Sequence, residues 1–362
     1  MNPTEMTAVE LVAAYGTKEL SPVEVTDAVI DRIEEVDGGI NAMCLVDRES
    51  ALVQARESEA RWQAGMPKGL LDGVPTSMKD IFLTKGWPTL RGSKAIDPDQ
   101  AWDVDAPVTA RLREDGMVFV GKNTTPEIAW KGVTDSPLTG ITRNPVDTRM
   151  TAGGSSGGAA AAVAGGMATV AVGTDAGGSI RIPASFCGIV GFKPTHGRVP
   201  MFPASPFGPL AHAGPMTRTV EDAALLMDII SLPDHRDPTS LAPPRLTFRG
   251  ELNRAVTGLP VAYSRTLGYV DVDPEVGRIC DEAVAKVDAA GMPVTAADPG
   301  FDDPLEDFEL LWGVSAATLL RSMPNVRETI DPALEEFWDR GERTGGVEFL
   351  QARAVAAALG IT

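Results

Sequence analysis

The 362-residue chain has 50 acidic and 32 basic side chains, which gives a formal net charge of −18 at pH 7. Nucleic acids and anionic membranes select for basic surfaces, so this balance argues against direct binding to either, and we expect the charge to serve solubility. The length can bury a large core in one domain or two, and the composition is that of a globular rather than a disordered protein.

The N-terminus and the cysteines point to a cytoplasmic protein. The first twenty residues carry acidic side chains and lack the basic segment and apolar core of a signal peptide. Residues 159–172, the longest uncharged stretch near the centre, are too few to span a bilayer. Cys44, Cys187 and Cys280 lie far apart, which fits reduced thiols better than disulfides, and we expect Cys187 to serve packing.

The first half of the chain alternates helices and strands, which predicts an α/β domain. Ser21 is predicted to cap the first clear helix, because Pro22 suits the first helical position and Glu24 completes a capping box. The predicted elements are helices over about 22–36, 48–62 and 108–116, and strands over 70–78, leading into Lys79, and over 117–120.

The second half shows the same alternation around a loop rich in proline and glycine. No internal repeat is present. The predicted elements are a buried helix over 159–164, a strand over 169–172 ending at Thr174 and Asp175, a loop over 197–215, a helix over 219–230, a polar connection over 232–259, a strand over 258–263, a helix over 273–290, a strand over 292–296 and a helix after Glu348.

Residues 151–184 are the most informative stretch. They read TAGGSSGGAAAAVAGGMATVAVGTDAGGSIRIPA, with two Gly-Ser turns around an alanine-rich run and a short apolar run. Glycine allows backbone angles closed to other residues, and small side chains allow backbones to approach closely. Two such turns can therefore bring Ser155 and Ser179 together, although the two serines are 24 positions apart (179 − 155).

A serine hydroxyl needs a base to become a nucleophile, and histidine is a weak candidate here. The chain has three histidines, His196 has no evident Asp partner, and no GxSxG elbow surrounds either serine. A lysine can be the base if it is neutral, and burial beside Val74 and Met78 would lower the pKa of Lys79. The alternative is that Lys79 is a surface lysine or is paired with Asp80.

The glycine-rich turns do not indicate a nucleotide or metal site. GGSSGG lacks the lysine of a phosphate-binding loop, and neither turn fits GxGxxG. No HExxH motif and no Cys/His cluster occur, so no metal or other cofactor is implied.

The motifs resemble the signature of the amidase signature family of serine hydrolases. The match comprises GVPTSMKD (residues 73–80), GGSSGG (153–158) and GTDAGGSIRIPASFCGIVGFKPT (173–195), and the resemblance extends from about residue 5 to about residue 355. It implies an α/β fold, with a central mixed β-sheet covered by helices on both faces, in a single domain over residues 1–362.

The resemblance also implies a Ser–Ser–Lys triad. Ser179 is expected to be the nucleophile that becomes an acyl-enzyme, Lys79 the base, and Ser155, after a cis peptide bond, the proton relay. Asp175 and Arg181 are expected to pair and hold the turn. The oxyanion hole is expected to consist of the backbone amides of Ala176, Gly177, Gly178 and Ser179.

Three functional hypotheses follow. The segments 130–158 and 210–230 look like those of free-standing amidases, and the apolar loop 197–210 suggests a pocket for an aliphatic or aryl amide, with Met78, Phe202 and Phe207 as candidate substrate residues. The alternatives are the glutamine-hydrolysing subunit of a tRNA-dependent amidotransferase, and a truncated relic without turnover.

The chain is expected to be short at its C-terminus relative to the family, where a late strand of the sheet and one wall of the cleft normally follow. An unpaired sheet edge can favour association, so a homodimer is possible. The expected partner is a small-molecule amide.

Overall fold

The computed structural model describes residues 2–323 and 325–360. Helices occur in every part of this range, between strands and loops. The helices are α1 (Ala8–Thr17), α2 (Pro22–Ile40), α3 (Arg48–Gln63), α4 (Pro107–Asp115), α5 (Gly157–Ala164), α6 (Arg181–Cys187), α7 (Val220–Ile230), α8 (Phe248–Glu251), α9 (Pro274–Ala289), α10 (Leu305–Leu320), α11 (Pro332–Arg343) and α12 (Gly346–Leu359).

The strands form one central sheet and two small pairs. They are β1 (Met43–Val46), β2 (Pro75–Lys79), β3 (Val118–Asn123), β4 (Asp135–Ser136), β5 (Gly140–Ile141), β6 (Val170–Asp175), β7 (Val190–Gly191), β8 (His212–Thr217), β9 (Val261–Tyr263) and β10 (Val294–Ala296). The central sheet has the order β1-β3-β2-β6-β8-β7.

The central sheet is mixed, as predicted. Strands β3, β2 and β6 run parallel to one another, whereas β1 pairs with β3, and β8 with both β6 and β7, in antiparallel fashion. Parallel neighbours place their carboxyl ends at the same edge of a sheet, which is where ligands bind in open α/β folds. Lys79, Asn123 and Asp175 are the last residues of the three parallel strands.

Helices cover both faces of this sheet, because successive strand residues point to opposite sides. Phe119 and Val172 join a buried cluster with residues of α1, α4 and α7. Val118, Val120 and Ala171 join a second cluster with residues of α2, α3, α5 and α6. The predicted fold class, an α/β fold with helices on both faces of a mixed sheet, is confirmed.

Local sequence signals explain where α2 begins and why α5 is buried. Ser21 and Glu24 form the predicted capping box at the start of α2. The alanines of α5 from Ala159 to Ala162 are fully buried, since their small side chains allow the helix to lie close to the sheet.

Two element predictions differ from the structure. The strand expected over 70–78 begins only at Pro75, because the backbone turns before it, with Gly73 at φ 86°. The end of the expected loop over 197–215 already belongs to β8. That strand contains Pro215, which cannot donate a ladder hydrogen bond and whose presence argues against an inner strand.

The chain divides into two compact units. The first, Met1–Leu252 with Leu320–Glu335, contains the central sheet. The second, Asn253–Leu319 with Glu336–Thr362, contains the parallel pair of β9 and β10 and the helix α9. This division into units does not test whether residues 1–362 form the single domain expected from the sequence, which stays a prediction. Across the described residues, every helix is too short or too polar to cross a lipid bilayer.

Candidate active site

The end of β2 places Lys79 inside the first unit, where its side chain is fully buried. Its amine lies 2.8 Å from each of three hydroxyl oxygens, those of Ser155, Ser156 and Thr174. The alternative that Lys79 is a surface lysine is therefore wrong. The neighbouring Asp80 is paired with Lys122 at 2.8 Å.

Burial holds the pKa of Lys79 well below its usual value, because an ammonium loses its hydration in the protein interior. The negative charge of Asp175 opposes this shift and raises the pKa, but burial dominates. The three hydroxyls in contact with the amine are uncharged and solvate either of its forms. This environment favours a neutral amine that can accept a proton.

The hydrogen atoms around Lys79 can be assigned from the neighbours. The hydroxyl of Ser156 donates to the carbonyl of Thr174 at 3.2 Å and accepts from the Thr174 amide at 3.2 Å. Ser156 has thus committed its one hydrogen and can only accept from Lys79. A neutral amine has two hydrogens and one lone pair. The hydrogen that this lone pair accepts must therefore come from Ser155 or Thr174.

The peptide bond between Gly154 and Ser155 is cis, as the resemblance implies. A side chain at position 154 would place its Cβ 2.5 Å from the carbonyl carbon of Val133, so only glycine fits this close approach. Ser156, the next residue, precedes the first residue of α5. The Gly-rich sequence thus allows two consecutive serines to face Lys79 from a tightly packed turn.

The second Gly-Ser turn is organised by the carboxylate of Asp175. It accepts hydrogen bonds from the amides of Gly178 at 2.8 Å and Ile180 at 3.1 Å, and it forms an ion pair with Arg181 at 2.9 Å. Burial raises the pKa of Asp175, but the bonds from Arg181 and the backbone outweigh burial and hold it below its usual value. The predicted pairing of Asp175 with Arg181 is confirmed.

The structure brings the two serine turns together. The amide of Ser156 donates to the carbonyl of Ser179 at 3.1 Å. Lys79 is 0%, Ser155 1% and Ser179 8% exposed, so Ser179 is the most exposed of the three. Within the described part of the chain, no hydrogen bond joins the Ser179 hydroxyl to Ser155 or Lys79.

The backbone amides of the turn are not equivalent. The amide of Gly178 donates to the Asp175 carboxylate at 2.8 Å, so it is already engaged, and its assignment as an oxyanion donor stays a prediction. Among the residues that the structure describes, the amides of Ala176, Gly177 and Ser179 have no acceptor. These three are the stronger candidate donors.

The candidate substrate residues lie in different surroundings. Met78 is fully buried in the first hydrophobic cluster, and its contact with a substrate stays a prediction. Phe202 and Phe207 are half-buried in the loop before β8, and the guanidinium of Arg236 lies 5.2 Å from the centre of the Phe202 ring. Their contact with a substrate stays a prediction.

Cys187 is not a nucleophile in this arrangement. It is buried in the second hydrophobic cluster, its sulfur lies 3.6 Å from the carbonyl of Ala152, and burial raises the pKa of the thiol to about 12. A thiol in such surroundings is inert, so the packing role predicted from the sequence is confirmed.

Sequence reasoning missed two residues of the site, Thr174 and His212. Thr174 is the penultimate residue of β6, and Met78 pairs with Val172 in the neighbouring strand, so the strand register brings the Thr174 hydroxyl to Lys79. His212 pairs with Asp175 and approaches its carbonyl. No local motif marks either residue, although Thr174 stands in the GTDAGGS stretch beside the predicted nucleophile.

A family model described as Amidase matches residues 24–352. The chain belongs to the amidase family. An acylamidase of Rhodococcus erythropolis is 39% identical to it over 353 residues, which cover 96% of this amidase and 74% of that protein. A glutamyl-tRNA(Gln) amidotransferase subunit of Geobacter sp. (strain M21) is 37% identical over 363 residues, covering 98% and 72%.

Solved structures of amidases are similar over the same length. A bacterial aryl acylamidase of the amidase signature family superposes with a TM-score of 0.89 at 34% identity, covering 96% of this amidase and 75% of that chain. A 6-aminohexanoate cyclic dimer hydrolase has a TM-score of 0.88 at 29% identity, covering 97% and 74%. This amidase is accordingly a hydrolase that acts on amides.

Proposed function

We propose that this amidase cleaves its substrate through Ser179, Ser155 and Lys79 by way of an acyl-enzyme. The observation that carries the proposal is the buried Lys79 amine, 2.8 Å from the Ser155 hydroxyl, with its pKa lowered by burial. Neutral lysine is the base that a serine nucleophile needs where no histidine–carboxylate pair serves it.

In the first half-reaction Lys79 accepts the proton of Ser155 while Ser155 accepts the proton of Ser179. The Ser179 oxygen attacks the amide carbon, and the amides of Ala176, Gly177 and Ser179 stabilise the resulting oxyanion. The proton held by Lys79 then returns through Ser155 to the leaving nitrogen, the carbon–nitrogen bond breaks, and ammonia or an amine departs. Water then attacks the acyl-enzyme and gives its proton to Lys79 through Ser155. The proton returns to the Ser179 oxygen as the acid is released.

A fluorophosphonate probe tests the nucleophile. We expect mass spectrometry of the labelled protein to locate the adduct on Ser179, and Ser179→Ala to remove labelling and amide hydrolysis. The matched control is Ser185→Ala, which changes an exposed serine of α6 and should be labelled like the parent chain. An adduct on another serine would contradict the proposal, and absence of any adduct in the folded parent chain would favour a relic without turnover.

For the substrate we propose an aliphatic or aryl amide of a small carboxylic acid. The names of the two acylamidase relatives support this class, and so does the apolar loop 197–210 with Phe202 and Phe207. We expect p-nitroacetanilide or hexanamide to be cleaved faster than glutamine by the purified chain. Equal or faster hydrolysis of glutamine would contradict this assignment.

A second candidate is the glutaminase component of a tRNA-dependent amidotransferase. It is favoured by the 37% identity to the Geobacter amidotransferase protein. Under this alternative the chain hydrolyses glutamine and co-purifies with partner proteins. Rapid cleavage of aryl amides by the isolated chain, together with slow glutamine hydrolysis, would exclude it.

A further inference from the structure

His212 is the first residue of β8 and pairs in register with Asp175, the last residue of β6. Its half-buried ring places Nδ1 3.1 Å from the carbonyl oxygen of Asp175 and 2.8 Å from that of Leu210. The catalytic steps proposed above do not use this histidine. It nevertheless touches the backbone immediately before the amides proposed for the oxyanion hole.

The two neighbours of Nδ1 determine its protonation. Both are carbonyl oxygens, which can only accept hydrogen bonds, so Nδ1 carries a hydrogen whether the ring is neutral or charged. His212 is therefore a donor that the Asp175 carbonyl shares with Leu210. The ring of His196 packs edge-on against it with the ring centres 5.6 Å apart, which limits the rotation of the imidazole.

The peptide group between Asp175 and Ala176 transmits this contact. A trans peptide is planar, so its carbonyl and its N–H point in opposite directions. A donor that fixes the Asp175 carbonyl thereby fixes the direction of the Ala176 amide. In the described residues this amide has no acceptor, which leaves it available to a substrate oxygen.

The rest of the turn is held from a different direction. The Asp175 carboxylate binds the amides of Gly178 and Ile180, which determines the far side of the turn, while the backbone of Asp175 pairs with that of His212 in the sheet. The His212 ring adds a side-chain donor to the Asp175 carbonyl at the near end of the turn. The turn is then fixed at both ends before the substrate binds, as electrostatic stabilisation of an oxyanion requires.

We propose that His212 is a positioning residue that orients the Ala176 amide toward the oxyanion formed on attack by Ser179. The inference rests on the proposed acyl-enzyme function and adds a residue to it. His212 acts through the backbone, does not touch the substrate, and takes no proton during the reaction.

The test compares His212→Asn with His212→Leu. The two side chains have similar shapes, and the Asn Nδ2 can replace the Nδ1 donor, whereas leucine has no donor. We expect kcat of the leucine variant to fall about tenfold to hundredfold with KM changed less than about twofold, since loss of a whole oxyanion donor costs about 10²–10³ in kcat. The asparagine variant should recover at least half of this loss on a logarithmic scale.

A transition-state analogue separates positioning from a structural role. An aldehyde inhibitor, which forms a tetrahedral adduct with Ser179, should bind the leucine variant more weakly by the same factor as kcat falls. Binding of the carboxylic acid product, which forms no adduct with Ser179, should not change. His235→Leu, which alters an exposed histidine outside the site, is the control and should match the parent chain.

Three results would overturn the inference: an unchanged kcat in His212→Leu, an equal loss in both variants with folding intact by circular dichroism, or a loss confined to KM. Fluorophosphonate labelling of the parent chain keeps this failure separate from that of the proposed function. If Ser179 is labelled in the parent chain but one of these three results is obtained, only the role of His212 is rejected.

Discussion

At the scale of single residues, the site is defined by a lysine whose hydrogen-bond partners, within the part of the chain that the structure describes, are all hydroxyls. An ammonium buried without a carboxylate in contact is disfavoured, so burial lowers the pKa of Lys79 and favours its neutral form. Ser156 has no free hydrogen to give, which distinguishes it from Ser155 despite their equal distance from Lys79.

The pH dependence of turnover follows from this lysine. Lys79 must be neutral to act as a base, and its pKa is lowered by burial, so kcat/KM should rise with pH through the depressed pKa and then level off. Initial rates on a neutral aryl amide between about pH 5 and pH 10 measure the profile. A rate that falls as pH rises through the neutral range, in enzyme that is stable on preincubation, would contradict the lysine-base mechanism.

The same lysine should reduce the free energy of unfolding near neutral pH. The pKa of Lys79 is lower in the folded than in the unfolded state, so the unfolded chain binds more protons between the depressed pKa and about 10.4, and stability rises with pH across this window. Lys79→Met removes this dependence.

Urea unfolding at the two ends of the window measures the effect. The stability of the parent chain relative to Lys79→Met should increase from about pH 7 to about pH 9.5, while the variant loses amide hydrolysis at both values, with a fall of about 10²-fold or more. Lys94→Met, at an exposed lysine outside the triad, is the comparison. A constant difference between the parent chain and Lys79→Met would show that Lys79 is not the titrating group.

At the scale of elements, the ends of β2 and β3 are joined by a buried ion pair beside Lys79. Lys122 contacts Asp80 at 2.8 Å and also donates to the carbonyl of Pro88 at 2.9 Å, and both charged side chains are at most 5% exposed. Burial lowers the pKa of Lys122 and raises that of Asp80, while each partner opposes the shift of the other. Each of the two buried charges is therefore stabilised by the other.

Removing one partner should be much worse than removing both. Lys122→Met leaves the Asp80 carboxylate buried without its cation, and we expect a loss of about 3–5 kcal/mol in the free energy of unfolding. The double variant with Asp80→Asn should regain most of this loss. Urea denaturation of the two single variants and the double variant gives the coupling energy, and additive losses would contradict a paired interaction.

How far the sequence predicts the structure differs between elements. Capping signals at Ser21 and the apolar period predict α2, and the small residues of 159–164 predict the buried α5. By contrast, the sequence of β8, HAGPMT, contains glycine and proline and predicts a loop, and the strand is held by pairing with β6 on one side and β7 on the other. Tertiary pairing here overrides local propensity.

The same distinction applies to the site. Ser155, Ser179 and Lys79 are predicted because their short motifs resemble the family signature. Thr174 and His212 reach the site only through the register of parallel and antiparallel strands, which no local pattern encodes. The engagement of Gly178 by Asp175 is likewise invisible in the sequence, since it depends on how the turn folds back.

At the scale of the whole molecule, the dominant property is the excess of negative charge. A net charge of −18 disfavours the compact state through self-repulsion, because folding brings the charges closer together. Exposed carboxylates such as Asp99 and Asp103 contribute to this excess. Isolated surface ion pairs do not offset it, since each contributes at most about 1 kcal/mol.

Salt should therefore stabilise this protein. Raising NaCl from about 0.01 M to about 0.1 M shortens the Debye length from about 30 Å to about 10 Å and screens the repulsion, so we expect the melting temperature to increase by about 1–3 °C. Differential scanning calorimetry at fixed pH measures the shift. The variant with Asp99→Lys and Asp103→Lys, whose net charge is less negative by four, should melt higher at low salt and gain less from added NaCl. An equal gain in both proteins, or a decrease with salt, would mean that specific ion pairs rather than net repulsion determine the response.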